Sequence, residues 1–208
     1  RYTTSHPNNF DEQIYQAYKK IPQLVSHLHL PIQSGSDRIL SAMKRDYTVL
    51  EYESVIRKLL EARPDITFSS DFIVGFPGET EEDFLKTIDV IKDLKFDQSY
   101  SFIYSKRPGT PASMLKDDVS MEEKKERLNF LKQTINKLSK NKSKLIVGCK
   151  EEILVESISS KYNNMVLGRT RNNKLISVPG NNNLIGKIID VKITEFNNRS
   201  LKGEIINI

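Results

Sequence analysis

The chain has only one cysteine, Cys149, three histidines and no tryptophan in 208 residues. A single cysteine excludes an internal disulfide and any cluster held by several thiolates of this chain. No run of about 18 apolar residues occurs, so no segment reads as a membrane-spanning helix, and no secretory signal pattern is present. These absences predict a soluble, cytoplasmic protein with no membrane partner and no metal site of its own. The first residue is Arg1 rather than Met, and it leads directly into strand-like residues. The chain therefore reads as a piece of something longer.

Charge is plentiful but uneven. Residues 1–119 carry 15 Lys/Arg against 18 Asp/Glu, whereas residues 120–208 carry 17 against 9. A basic C-terminal part favours a polyanion such as nucleic acid as partner, although a solvated surface accounts for a net +5 equally well.

Everything else is organised around Ser69 to Thr80, SSDFIVGFPGET, which predicts a strand, a tight Pro-Gly turn and the start of a helix. Side chains alternate along a strand. Ser69, Asp71, Ile73 and Gly75 thus share one face, and Ser70, Phe72, Val74 and Phe76 the other. With helices over the apolar face, Asp71 points into whatever the sheet encloses. The interior of a closed (β/α)8 barrel is packed with Val, Ile and Leu, so an aspartate there predicts a ligand cavity. Two further strands repeat the alternation. His27, His29, Pro31 and Gln33 alternate with Leu28, Leu30 and Ile32; Ser99, Ser101 and Ser105 alternate with Tyr100, Phe102 and Tyr104. The expectation is an α/β fold whose parallel sheet has helices outside and a wet concave side, with Tyr100, Phe102 and Tyr104 on the apolar face.

Local signals place the helices. Arg1 to Ser5 reads as a strand, and Asn8 or Asn9 as the cap of a helix carrying Phe10, Ile14, Ala17 and Tyr18. Ser36 reads as the cap of a short helix, after a turn in which Gly35 allows a ligand to approach the backbone. Thr48 with Glu51 predicts a capping box ahead of the stripe Tyr52, Val55, Ile56, Leu59 and Leu60. Thr80 opens a helix with an acidic first turn, which suits the positive end of its dipole, and a stripe of Phe84, Leu85, Ile88 and Ile91. Ser120 with Glu123 opens a long helix whose Lys124, Lys125, Arg127, Lys132, Lys137, Lys140 and Lys142 read as a solvated face.

Past Lys144 five short β-type runs separated by turn-rich pieces predict a small antiparallel barrel with an excess of basic residues. The domains are expected at 1–143 and 144–208.

The segments HLPIQSGSDRIL (His29 to Leu40), MKRDYT (Met43 to Thr48), SSDFIVGFPGETEEDF (Ser69 to Phe84) and YSKRPGTPA (Tyr104 to Ala112) together resemble the radical S-adenosylmethionine (SAM) methylthiotransferases. Those that make 2-methylthio-N6-dimethylallyladenosine in tRNA, next to the anticodon, are the most similar. The tail resembles the RNA-binding TRAM domain that closes these enzymes. The resemblance implies the last four strands of an open (β/α)6 partial TIM barrel, followed by the TRAM barrel. For the complete enzymes it implies S-adenosylmethionine, two 4Fe-4S clusters, tRNA as substrate and an electron donor of flavodoxin or ferredoxin type. The cysteines for both clusters are absent from this chain, so no residue here is assigned a catalytic or metal-binding role and residues 1–208 alone are expected to be inactive.

Gln33, Arg45 and Asp71 match positions that hold the cofactor in related enzymes. An amide and a carboxylate suit ribose hydroxyls, and a guanidinium suits the methionine carboxylate. Ile73 and Gly75 match the adenine-contacting strand. Glu79 lies one position later than the family's usual glutamate, and a helix N-cap role is sufficient for it. In the tail Arg169, Arg171, Lys174, Lys187, Lys192 and Arg199 are the candidate RNA contacts. Two sister activities, on threonylcarbamoyladenosine and on a ribosomal-protein aspartate, and a non-catalytic RNA-binding remnant remain as alternatives.

Overall fold

The computed structural model describes residue 1, residues 6–197 and residues 200–207. Contacts divide the chain into two compact units, Arg1–Leu24 with Leu28–Ser139 and Val25–His27 with Lys140–Ile208. The expected strand at Arg1 to Ser5 falls largely on residues 2–5, outside the described residues.

In the first unit α1 (Glu12–Lys20) leads to β1 (His27–His29). Then come α2 (Asp37–Ala42), α3 (Val49–Ala62) and β2 (Thr67–Val74), followed by α4 (Glu81–Leu94), β3 (Gln98–Ile103) and α5 (Met121–Leu145). The sheet runs β1-β2-β3, with β2 and β3 parallel. Leu28, Leu30, Ile32, Phe72 and Val74 are fully buried against the inward stripes of α3 and α4. Tyr18 and Phe96 join the same core, as do Leu131 and Ile135 from α5. Apolar residues at helical spacing meet apolar residues at strand spacing, which is the elementary α/β arrangement.

The expected capping box of Thr48 with Glu51 forms at α3, and α4 carries a second, Thr80 with Asp83, where only an acidic first turn was expected. At α5 the Ser120 hydroxyl accepts from the Glu123 amide at 3.1 Å, one half of the box expected there. Two other caps differ from expectation. Asp11, not Asn8 or Asn9, caps α1, its carboxylate accepting from the Ile14 amide at 3.1 Å; residues 7–9 form a 3-10 turn instead. Ser36 stands at the N-cap of α2 without a side-chain cap bond, because its hydroxyl donates to Asp83 at 2.6 Å.

The third strand is turned over relative to expectation. Asp71 pairs in register with Tyr100, and Ile73 with Phe102. Register partners in a parallel pair share a face, so Tyr100 and Phe102 stand on the concave side and are 58% and 54% exposed. Leu60 and Leu85 are also exposed, at the margins of their helices' buried stripes. Two of the seven basic residues expected on a solvated face of α5, Lys124 and Arg127, are buried.

The second unit is a closed barrel of β4 (Lys150–Ile158), β5 (Met165–Thr170), β6 (Leu175–Pro179), β7 (Ile188–Asn197) and β8 (Ser200–Asn207), in the order β4-β5-β6-β8-β7. Four junctions are antiparallel, but β6 and β8 close the barrel as a parallel pair through Ile176–Leu201 and Ser177–Lys202. Inward residues Ile153, Val155, Val166, Ile176, Val178, Val191 and Ile193 fill the barrel, which suits a small interior.

Candidate functional site

The concave side of the sheet opens into a cavity of about 510 Å³, within the size range of small-molecule sites. Its wall includes Gln33, Met43, Arg45, Asp71, Ile73, Phe76, Phe102, Tyr104 and Arg107. Four of the five candidate cofactor residues therefore meet there from three separate stretches of chain.

Each is placed by local backbone. Gln33 lies just beyond β1 with a φ of +75°. Its amide donates to the Asp71 carbonyl at 2.9 Å, and its carbonyl accepts from the Ile73 amide at 2.9 Å. This exchange fastens it to the middle of β2, where Asp71 and Ile73 project from the same face. Arg45 follows the end of α2, where Lys44 takes a left-handed φ of +61° and the Arg45 amide donates to the Leu40 carbonyl at 2.9 Å. The turn swings the guanidinium toward the cavity. An amide, a cation and a carboxylate therefore face one space, with Ile73, Phe76 and Phe102 as its apolar wall. Such a wall suits a flat base, and the polar trio suits hydroxyls and a carboxylate.

Gly75 is not among the lining residues. Its amide donates to Glu79 Oε2 at 2.7 Å. Gly35 also serves packing rather than a ligand, since a Cβ there would fall 2.5 Å from the Thr87 Cα of α4.

Two residues in and around the cavity, His29 and Tyr104, were not singled out from sequence as site residues. His29 places Nε2 3.4 Å from Asp71 Oδ1 and Nδ1 2.9 Å from Ser69 Oγ, and its ring meets Tyr100 edge-on at 5.7 Å. Period-2 alternation put His29 on the right face, but only the register with β2 reveals the pairing. Tyr104 donates to the Ala112 carbonyl at 3.0 Å and packs edge-on against Phe76 at 5.1 Å.

Glu79 is not an N-cap. Thr80 holds that position, and Glu79 is buried with Oε2 shared between the Gly75 amide and Arg127 Nη1, the latter at 2.8 Å. Burial pushes its carboxyl above the ordinary value, opposed by Gly75 and Arg127, which favour the ionised form. Asp83 behaves oppositely. Burial acts to raise its carboxyl too, but hydrogen bonds from Arg38, Ser36 and Thr80 prevail and hold it well below the carboxylate range.

In the barrel, Arg169 pairs with Glu156 at 3.2 Å and Arg171 with Glu152 at 3.1 Å, both across the β4–β5 pair. Lys174 donates to Ser143 at 3.2 Å. Lys187 and Lys192 are exposed, and Lys192 stands in register with Lys150. Like charges placed opposite each other on neighbouring strands repel, an arrangement relieved by an anion. Arg199 lies outside the described residues. Among those residues no helix is long and apolar enough to cross a membrane.

Comparison with known proteins shows what the chain resembles. The Radical SAM superfamily model matches residues 1–91 and the TRAM domain model residues 144–206. The tRNA-2-methylthio-N(6)-dimethylallyladenosine synthase of Francisella philomiragia is 55% identical over 206 residues, covering 99% of this chain and 47% of the relative. Its counterpart in Francisella tularensis subsp. novicida is 54% identical over the same span. The chain thus spans about half the length of the curated relatives it matches. Among solved structures, coproporphyrinogen III oxidase (HemN) from Escherichia coli, a radical SAM enzyme, aligns with a TM-score of 0.52 at 13% identity, covering 99% of this chain and 50% of that one. At that identity the likeness concerns the fold alone.

Proposed function

Because the chain joins a radical SAM segment to a TRAM domain, we propose that it is the C-terminal part of a tRNA methylthiotransferase that adds a 2-methylthio group to N6-dimethylallyladenosine. The observation that carries the reading is the meeting of Gln33, Arg45 and Asp71 on one cavity, in a chain 55% identical to an enzyme of that name. When bound, S-adenosylmethionine with its clusters supplies the radical chemistry that an unactivated aromatic C–H requires. The chain's own residues supply position. Arg45 presents a fixed cation for a carboxylate, Gln33 and Asp71 present acceptors for hydroxyls, and Ile73, Phe76 and Phe102 shield a base from water. Gly75 contributes backbone geometry at the end of β2.

The donor set does not suit an iron–sulfur cluster, which needs several thiolates, because Cys149 is the sole cysteine. We assign the ligands of the family's clusters to the part of the relatives that this chain does not span. Residues 1–208 alone should then be inactive, and an electron donor of flavodoxin or ferredoxin type would serve the complete enzyme. We propose a division near residue 144, a TRAM unit that holds tRNA through Lys174, Lys187 and Lys192 with help from Arg169, Arg171 and Arg199, and a cytoplasmic setting.

The test is nucleoside mass spectrometry of tRNA from a bacterial strain lacking this modification. The full-length gene should restore 2-methylthio-N6-dimethylallyladenosine, whereas residues 1–208 should not. Accumulation of unmodified dimethylallyladenosine, or thiomethylation of threonylcarbamoyladenosine in its place, would contradict the proposal.

A further inference from the structure

The long helix α5 begins beyond the matched radical SAM segment, yet one of its cations meets a cavity residue, Tyr104, and another the turn that follows β2. Lys124 is 2% exposed and its ammonium lies 2.6 Å from both oxygens of Asp117. On the way it passes Gly75 so closely that a Cβ there would fall 2.2 Å from the Lys124 Cγ. Gly75 also has a φ of +67°, so two independent constraints hold glycine at this position. The ammonium stands 5.8 Å from the ring centroid of Tyr104, a cavity residue.

One turn along the helix, Arg127 Nη1 donates to the Glu79 carbonyl at 3.0 Å and to Glu79 Oε2 at 2.8 Å. Its Nη2 meets Glu123 and lies 3.6 Å from Glu81. Glu79 in turn accepts from the Gly75 amide, so the guanidinium ties together both ends of the turn that carries Phe76. Arg38 and Asp118 hold the Gly78 carbonyl and amide of the same turn from outside.

Fold stability alone does not account for this arrangement. Buried ion pairs lose in desolvation much of what they gain in attraction, and apolar replacements are often neutral or stabilising. This one also leaves Glu79 Oε1 and Arg127 Nε buried without a hydrogen-bond partner. What the network does fix is geometry, at a turn whose aromatic residue, Phe76, lines the cavity. We infer that Lys124 and Arg127 are positioning residues that set Tyr104 and Phe76 in the cavity wall; the inference rests on the reading of that cavity as the S-adenosylmethionine site.

The test uses the full-length protein, anaerobically reconstituted, with S-adenosylhomocysteine titrated by calorimetry. Arg127→Met and Lys124→Met should each weaken binding by about tenfold, the order of one lost hydrogen-bonded contact in the site. Arg127→Lys, which keeps a cation near Glu79, should recover part of the loss. KM for S-adenosylmethionine should rise with kcat little changed, the pattern of lost uniform binding. Parental affinity in a folded Arg127→Met protein overturns the inference, whatever its melting temperature. If that variant fails to fold, parental affinity in both Lys124→Met and Arg127→Lys overturns it. An Asp71→Ala control separates the two levels. Weakened binding there with parental affinity in the α5 variants leaves the cavity reading standing, whereas parental affinity in Asp71→Ala overturns both.

Discussion

Asp71 and Tyr100 face each other across the parallel β2–β3 pair, a carboxylate beside a phenol on the open side of the sheet. Next in register, Ile73 stands beside Phe102. Large aromatic residues left this exposed contribute little to folding, so Phe102→Ala should change stability by no more than about 0.5 kcal/mol while weakening cofactor binding. Phe72, on the opposite face, is fully buried and packs edge-on against Phe96 at 5.4 Å. Phe72→Ala should cost about 3–5 kcal/mol. Chemical denaturation of the two variants checks the contrast, and equal losses would place Phe102 in the core.

Acid should act on the first unit through Asp83. Its folded carboxyl lies below the ordinary value of 3.8, so the folded state holds the proton less tightly than the unfolded state. The stability it contributes is complete above that ordinary value and is lost as pH falls below it toward the folded value. Asp83→Asn should lower the melting temperature at neutral pH and flatten its fall between about pH 4 and pH 2. A variant with the parental acid slope would show that Asp83 is not the group responsible.

In the barrel, the ion pairs of Arg169 with Glu156 and Arg171 with Glu152 set a direction for each substitution. Replacing either arginine by Gln should reduce the slope of log affinity for tRNA against log salt by up to about 0.9. Replacing Glu152 and Glu156 by Gln should tighten binding and steepen that slope, because each glutamate opposes a phosphate at the same arginine. Filter binding across a salt series reads both, and an affinity indifferent to salt would return these residues to the role of a solvated surface.

Much of this was legible from residue order alone. Thr48 with Glu51 announces its helix because a capping box is closed within one turn of chain; Thr80 announces a helix start through its acidic first turn, and its box with Asp83 went unread. Asp71 announces a cavity because an acid on the enclosed face of a sheet needs a reason. Period-2 alternation misled on β3, where Tyr100 and Phe102 were read as core: aromatic residues mark a buried face in most sheets, and a concave ligand face reverses the sign. Lys124 and Arg127 read as solvated because their partners, Asp117 and the buried Glu79, lie off the helix, and the fold that brings Glu79 beneath α5 is invisible to helical spacing. The parallel β6–β8 closure was missed for a similar reason, since β7 intervenes in sequence and hairpin signals describe only consecutive strands.

The most direct measurement is calorimetric titration of S-adenosylmethionine into the reconstituted full-length protein and its Asp71→Ala variant, under anaerobic conditions. Losing a buried hydrogen-bond partner should weaken binding by about 1–3 kcal/mol, with the melting temperature little changed because Asp71 is only partly buried. Equal affinities for the parent and the variant would contradict the placement of the cofactor in this cavity.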